Sequence, residues 1–88
     1  MSEDLILESV LQRLREDGHK ALVGSVDPQA LRLEEDLGLD SMDVLELLME
    51  LEEEHGIDIP EELTEDVETV GDLARVVWLL VAKQKANL

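Results

Sequence analysis

Asp36-Leu37-Gly38-Leu39-Asp40-Ser41-Met42-Asp43 leads directly into Val44-Leu45-Glu46-Leu47-Leu48-Met49-Glu50-Leu51-Glu52-Glu53-Glu54-His55. Leucines returning at three- and four-residue steps, with acids between them, mark an amphipathic helix rather than a strand. Asp40 fits its N-cap, with Asp43 at the N3 place of a capping-box-like pair. Gly56 supplies the stop. The spacing predicts a helix over 41–55, and the fold is read outward from it.

Upstream, Leu5, Ile6, Leu7, Val10, Leu11 and Leu14 repeat at helical spacing. Ser2 fits a cap and Gly18 a stop, which gives a helix over about 3–17. Between Gly18 and Asp40 the periodicity fails. Gly24, Pro28 and Gly38 punctuate the stretch, and leucines and valines appear singly. A helical turn at Pro28-Gln29-Ala30-Leu31, headed by Asp27, is compatible with proline at a first helical position. A connection this long within a small domain is usually functional, and its scattered apolar residues argue that it packs across the helices.

Downstream, Ile57-Asp58-Ile59-Pro60 reads as a short extended crossing, since Pro60 disfavours helix before it. A short helix over 61–66 and a longer one over 70–85, capped by Thr69, complete the reading. The expected fold is all-α: one domain over 1–88, a small four-helix bundle with a long first loop and a short third helix.

Composition bounds what such a bundle can do. The 88 residues hold 23 acids against 7 lysines and arginines, a formal net charge of -16. Nucleic acid is excluded as a default partner, because phosphates are met by basic patches; partners with basic surfaces are favoured instead. The chain has no cysteine, hence no disulfide, thiolate nucleophile or cysteine metal site. Its longest apolar run, Val76 to Ala82, is well short of the roughly 20 residues that span a membrane. An acidic Met1-Ser2-Glu3-Asp4 is unlike a signal peptide. The expectation is a cytoplasmic monomer without a metal site. With aromatic content at 1%, the core must be aliphatic apart from Trp78.

At 100° per residue, Val44, Leu45, Leu47, Leu48, Leu51 and His55 fall on one broad side of the second helix, which is expected to face the core. Met42, Glu46, Met49 and Glu53 form a second stripe, with Asp43, Glu50 and Glu54 widening its charged flank. Such a stripe can be merely a solvated face, and a methionine can tuck against the loop. Flexible thioethers among acids also suit a surface that fits several partners in turn.

Ser41 can be read as one more helix-start serine. Because Asp40 already caps, its hydroxyl is free to face solvent. A nucleophile would need a base within reach. His55 lies 14 residues along the same helix, roughly 21 Å away, and His19 is the only other histidine. Catalysis by this chain is therefore not expected. A phosphate ester at Ser41 is physically reasonable, because first-turn amides are unsatisfied donors.

These residues carry a resemblance. Leu33-Glu34-Glu35-Asp36-Leu37-Gly38-Leu39-Asp40-Ser41-Met42-Asp43 resembles the attachment motif of acyl carrier proteins, and Glu52-Glu53-Glu54, Ile59-Pro60 and Thr69-Val70-Gly71-Asp72-Leu73 fall where that family has similar segments. The resemblance implies that Ser41, preceded by Asp40, carries a 4′-phosphopantetheine arm installed from coenzyme A by a phosphopantetheinyl transferase. The arm's thiol would hold acyl groups as thioesters. It implies that Asp40, Met42, Glu46, Met49 and Glu53 recognise partners, in agreement with the stripe. Those partners would be the transferase, acyltransferases, ketosynthases and other synthase enzymes, met through basic patches. Finally, it implies an acyl pocket lined by Leu45, Leu48, Ile59, Leu63 and Val67. His55 departs from the family's frequent aromatic residue, and a buried or half-buried imidazole is expected there, a solvated helix-end histidine being the alternative.

The function so implied is a carrier for fatty acid or polyketide biosynthesis. An aminoacyl or peptidyl carrier is the alternative, although Asp-Ser-Met-Asp favours the first. An acidic calcium-binding protein would need the alternating acids of an EF-hand loop, which Asp36, Asp40 and Asp43 do not form. An adaptor regulated by phosphorylation at Ser41 is the remaining class.

Overall fold

The computed structural model describes residues 2–18 and 27–86, with side chains to residue 84. Among them are four α-helices: α1 (Glu3–Glu16), α2 (Ser41–His55), α3 (Glu61–Thr64) and α4 (Val70–Ala86), with a 3-10 turn at Pro28–Ala30. His19, Leu22, Val23, Gly24 and Val26, within the long first connection, lie outside the described residues.

Each boundary has a local cause. Ser2 Oγ accepts the Leu5 N–H at 3.3 Å and starts α1. Pro28 opens the 3-10 turn, where Asp27 makes no side-chain cap bond. Gly56 ends α2 at φ 63°, in the left-handed region where glycine carries no Cβ penalty. The third helix is shorter than the 61–66 expected. Pro60 stands at its N-cap with no side chain to accept an amide, and Thr64 Oγ1 donates back to the Glu61 carbonyl at 2.7 Å, a local bond that competes with helix continuation.

The core is aliphatic. Ile6, Val10, Leu11 and Leu14 of α1, Leu47 and Leu51 of α2, and Val70, Leu73, Ala74 and Val77 of α4 are buried together with Leu33 and Leu39 of the connection. Ile57, Ile59 and Trp78 are half-buried against them. The scattered leucines of the connection therefore do pack across the helices.

One correction concerns α2. Leu47 and Leu51 are buried and Val44 and Leu48 half-buried, but Leu45 is 50% exposed and not part of the core. On the wheel Leu45 lies only about 40° from Ser41 and about 120° from Leu51. It sits on the helix edge, on the lining of a cleft, and no described helix buries it.

The start of α4 makes a testable statement about pH. Asp72 Oδ2 accepts the N–H groups of Glu68 and Thr69, both at 3.1 Å, while Thr69 Oγ1 accepts the Asp72 N–H at 3.1 Å. The two backbone donors favour the charged carboxylate and hold Asp72 below the usual carboxyl range. A depressed pKa contributes stability that is complete above the unfolded value, about 3.9, and is lost as pH falls below it. Asp72→Asn is expected to lower Tm at neutral pH, with the gap from wild type closing below about pH 4. A gap that stays constant across that range would show that the charge has no part in it.

Candidate functional site

The loop before α2 is stitched down before the helix begins. Leu33 N–H donates to the Glu68 carbonyl at 2.9 Å, and Val70 N–H donates to the Leu31 carbonyl at 2.9 Å. These bonds flank an isolated antiparallel bridge between Arg32 and Thr69. The Arg32 carbonyl then accepts from Asp36 and Leu37, at 3.1 and 3.0 Å, and Leu39 N–H returns to Leu33 at 3.0 Å. Gly38 turns the chain at φ 70°, and buried Leu33 and Leu39 anchor it on either side. Ser41 thus follows a loop with a fixed path.

At the helix start, Asp40 Oδ1 accepts the Asp43 N–H at 2.8 Å, and Asp43 Oδ2 accepts the Asp40 N–H at 3.2 Å. This is a complete capping box. Asp40 performs the capping, so the exposed Ser41 is not needed for it. Among the described residues, no histidine is placed near it. His55 stands at the far end of α2, half-buried as expected, and its Nε2 shares a 3.0 Å hydrogen bond with Ser9 Oγ of α1.

The stripe residues Asp40, Met42, Glu46, Met49 and Glu53 are all exposed, and both methionines are more than half so. Neither Met42 nor Met49 is tucked away among the described residues. The wider flank is different. Glu50 and Glu54 turn towards α1, where Arg13 meets them at 3.6 and 3.3 Å and also reaches Glu16 at 3.7 Å. Arg13 Nε and Glu50 Oε2 are buried without a hydrogen bond, and they face one another as an ion pair. These two acids are thus part of the α1–α2 seam. Sequence reading missed this because only the packing of two helices shows which acids Arg13 can reach.

Beside Ser41 opens a cleft of about 750 Å³ between α2, α3 and the segment before α4. Leu45, Leu48, Ile59 and Val67 line it, along with Leu33 and Val44. Leu63 is not among the lining residues; it is 44% exposed, because α3 ends within one turn and leaves it on the solvent side. Two lining residues carry chemistry that no motif announced. Glu52 Oε2 accepts the Ile59 N–H at 2.8 Å, fixing the crossing segment to α2. Arg32 reaches the cleft from the loop and pairs with Glu35. A lone arginine in an irregular segment gives no periodic signal.

The arrangement suits a tethered group. Ser41 offers an exposed hydroxyl at the electropositive end of a helix, next to a cleft with an apolar floor and room for a chain. Among the described residues there is no group of three or more His, Cys, Asp or Glu side chains placed to hold a metal ion, and no helix is long and apolar enough to cross a membrane.

Comparison with known proteins agrees with this geometry. Residues 25–77 match the family described as "Phosphopantetheine attachment site". The acyl carrier protein of Wolinella succinogenes is 47% identical over 57 residues, which cover 60% of this chain and 75% of that protein.

Proposed function

Because this chain belongs to the phosphopantetheine-attachment family of acyl carrier proteins, we propose that Ser41 is its attachment residue and that it serves fatty acid or polyketide synthase enzymes. The chain is a carrier, not an enzyme, and its prosthetic group is 4′-phosphopantetheine. When bound, that group supplies a terminal thiol that holds acyl groups as thioesters. The observation that carries the assignment to Ser41 is the capping box. Asp40 and Asp43 satisfy one another's amides and leave the Ser41 Oγ free to form an ester without unwinding the helix.

The remaining roles follow from position. Asp40 fixes the turn from which the arm departs. Leu45, Leu48, Ile59 and Val67 offer apolar cover to a carried chain. Met42, Glu46, Met49 and Glu53 present a flexible, acidic face to basic patches on a transferase, acyltransferase or ketosynthase, giving fast and salt-sensitive encounter. A cytoplasmic setting accords with the absence of cysteine.

Charge reversal tests the docking face. Glu46→Lys and Glu53→Lys are expected to lower acyltransferase or ketosynthase turnover of the loaded carrier several-fold at low ionic strength. The loss should fade at about 1 M salt, where the Debye length is about 3 Å. Both side chains are exposed, so circular dichroism and Tm should be unchanged. Turnover equal to wild type at low salt would remove the stripe from the interface.

A further inference from the structure

The cleft beside Ser41 has a charge pattern that goes beyond shelter for a hydrocarbon. Its walls include Glu34, Glu35, Glu52, Glu61, Glu65 and Glu68, and among the residues lining it Arg32 is the one cation. The backbone of Arg32 is rigidly held: its N–H donates to Asp36 Oδ2 at 2.7 Å and its carbonyl accepts from Asp36 and Leu37. Its head is not. The ion pair with Glu35 joins side chains that are 56% and 68% exposed, the kind of contact that contributes little and exchanges readily. Of the five guanidinium N–H donors, only one, on Nη1, is committed to a side-chain acceptor among the described residues.

Three kinds of carried group would meet this cleft differently. One ending in a carboxylate faces six carboxylates against a single guanidinium and is repelled. A plain saturated chain gains from the leucine floor but leaves the free Arg32 donors without a partner wherever it displaces water. A chain with a neutral keto or hydroxyl oxygen gains from the floor and accepts a charge-assisted hydrogen bond as well.

We propose that Arg32 is a specificity-determining residue of this carrier, donating to a neutral oxygen of the chain lodged in the cleft, so that oxygenated acyl groups are sheltered in preference to saturated ones. The proposal rests on the carrier reading of Ser41, and its test separates the two. Amide-linked arms bearing octanoyl, the same chain with a keto group at the third, fifth or seventh carbon, and the same chain ending in a carboxylate are transferred to the protein. Intact mass reports the loading, and nitrogen–proton spectra follow Arg32 Nε–Hε and its exchange with water.

At least one keto chain is expected to shift that resonance and slow its exchange several-fold, while octanoyl and the carboxylated chain leave it near its unacylated position. In Arg32→Gln, shifts of the Leu45 and Leu48 methyl groups caused by that keto chain should fall to the octanoyl level. Loading with Arg32 equally indifferent to all three keto chains and to octanoyl would overturn the proposal and leave the carrier reading intact. So would a larger response to the carboxylated chain, which would mark an anion site. Failure to load would remove both readings together.

Discussion

Ser41→Ala is expected to stay at its unmodified mass when incubated with coenzyme A and a broad-specificity phosphopantetheinyl transferase, under conditions in which the wild-type chain is fully converted. The loss should be complete, because the other described hydroxyls are already engaged. Ser2 caps α1, Ser9 is tied to His55, Thr64 donates to the Glu61 carbonyl, and Thr69 caps the start of α4. Among the described residues, only Ser41 combines an exposed hydroxyl with a helix start that another residue caps. For the same reason the substitution should leave the fold alone. Removing an exposed hydroxyl that makes no cap usually changes stability by no more than about 0.5 kcal/mol. Unchanged helicity and Tm, with modification abolished, would separate anchoring from structure. Partial modification of the alanine variant would mean that a second residue accepts the arm.

Leu51→Ala should have the largest effect on stability. Leu51 is fully buried and lies at the centre of the inward face of α2, between buried Leu47 and half-buried Val44 and Leu48. Its surroundings are leucines, isoleucines and valines whose shapes are set by few rotatable bonds, so the cavity left by truncation should collapse only in part. Core Leu→Ala substitutions cost about 2–5 kcal/mol. Taking about 3 kcal/mol and about 4–8 °C per kcal/mol for a domain of this size, Tm should fall by roughly 12–24 °C. Leu45→Ala, on the exposed edge above the cleft, should cost far less, well under half of that drop in Tm. Thermal unfolding of the two variants side by side decides the matter. A loss for Leu45 as large as that for Leu51 would return Leu45 to the core face, beside Leu51, where the sequence wheel puts both.

That contrast shows where the sequence was legible. The start and stop of α2 are set by Asp40, Asp43 and Gly56, residues that act on their own neighbours, so a linear reading finds them. The same holds for Ser2 at α1 and for Thr69 at α4. The exposure of Ser41 follows from that local chemistry. By contrast, Leu45 is a leucine in a leucine-rich run, and only the gap beside α3 leaves it uncovered. Glu50 and Glu54 look like docking acids until α1 brings Arg13 against them. Arg32 enters the cleft through a bridge to Thr69, a pairing between segments that share no pattern. In each case the missing information was tertiary: which element lies opposite.

Ser41 is proposed as a passive anchor whose oxygen forms the ester while its neighbours hold the helix. The direct test is fragment-mass localisation on the wild-type chain after treatment with coenzyme A and the transferase. One phosphopantetheine arm, carried entirely by the peptide containing Ser41, is the result this account predicts. No added mass, or an arm borne by any other residue, would contradict it.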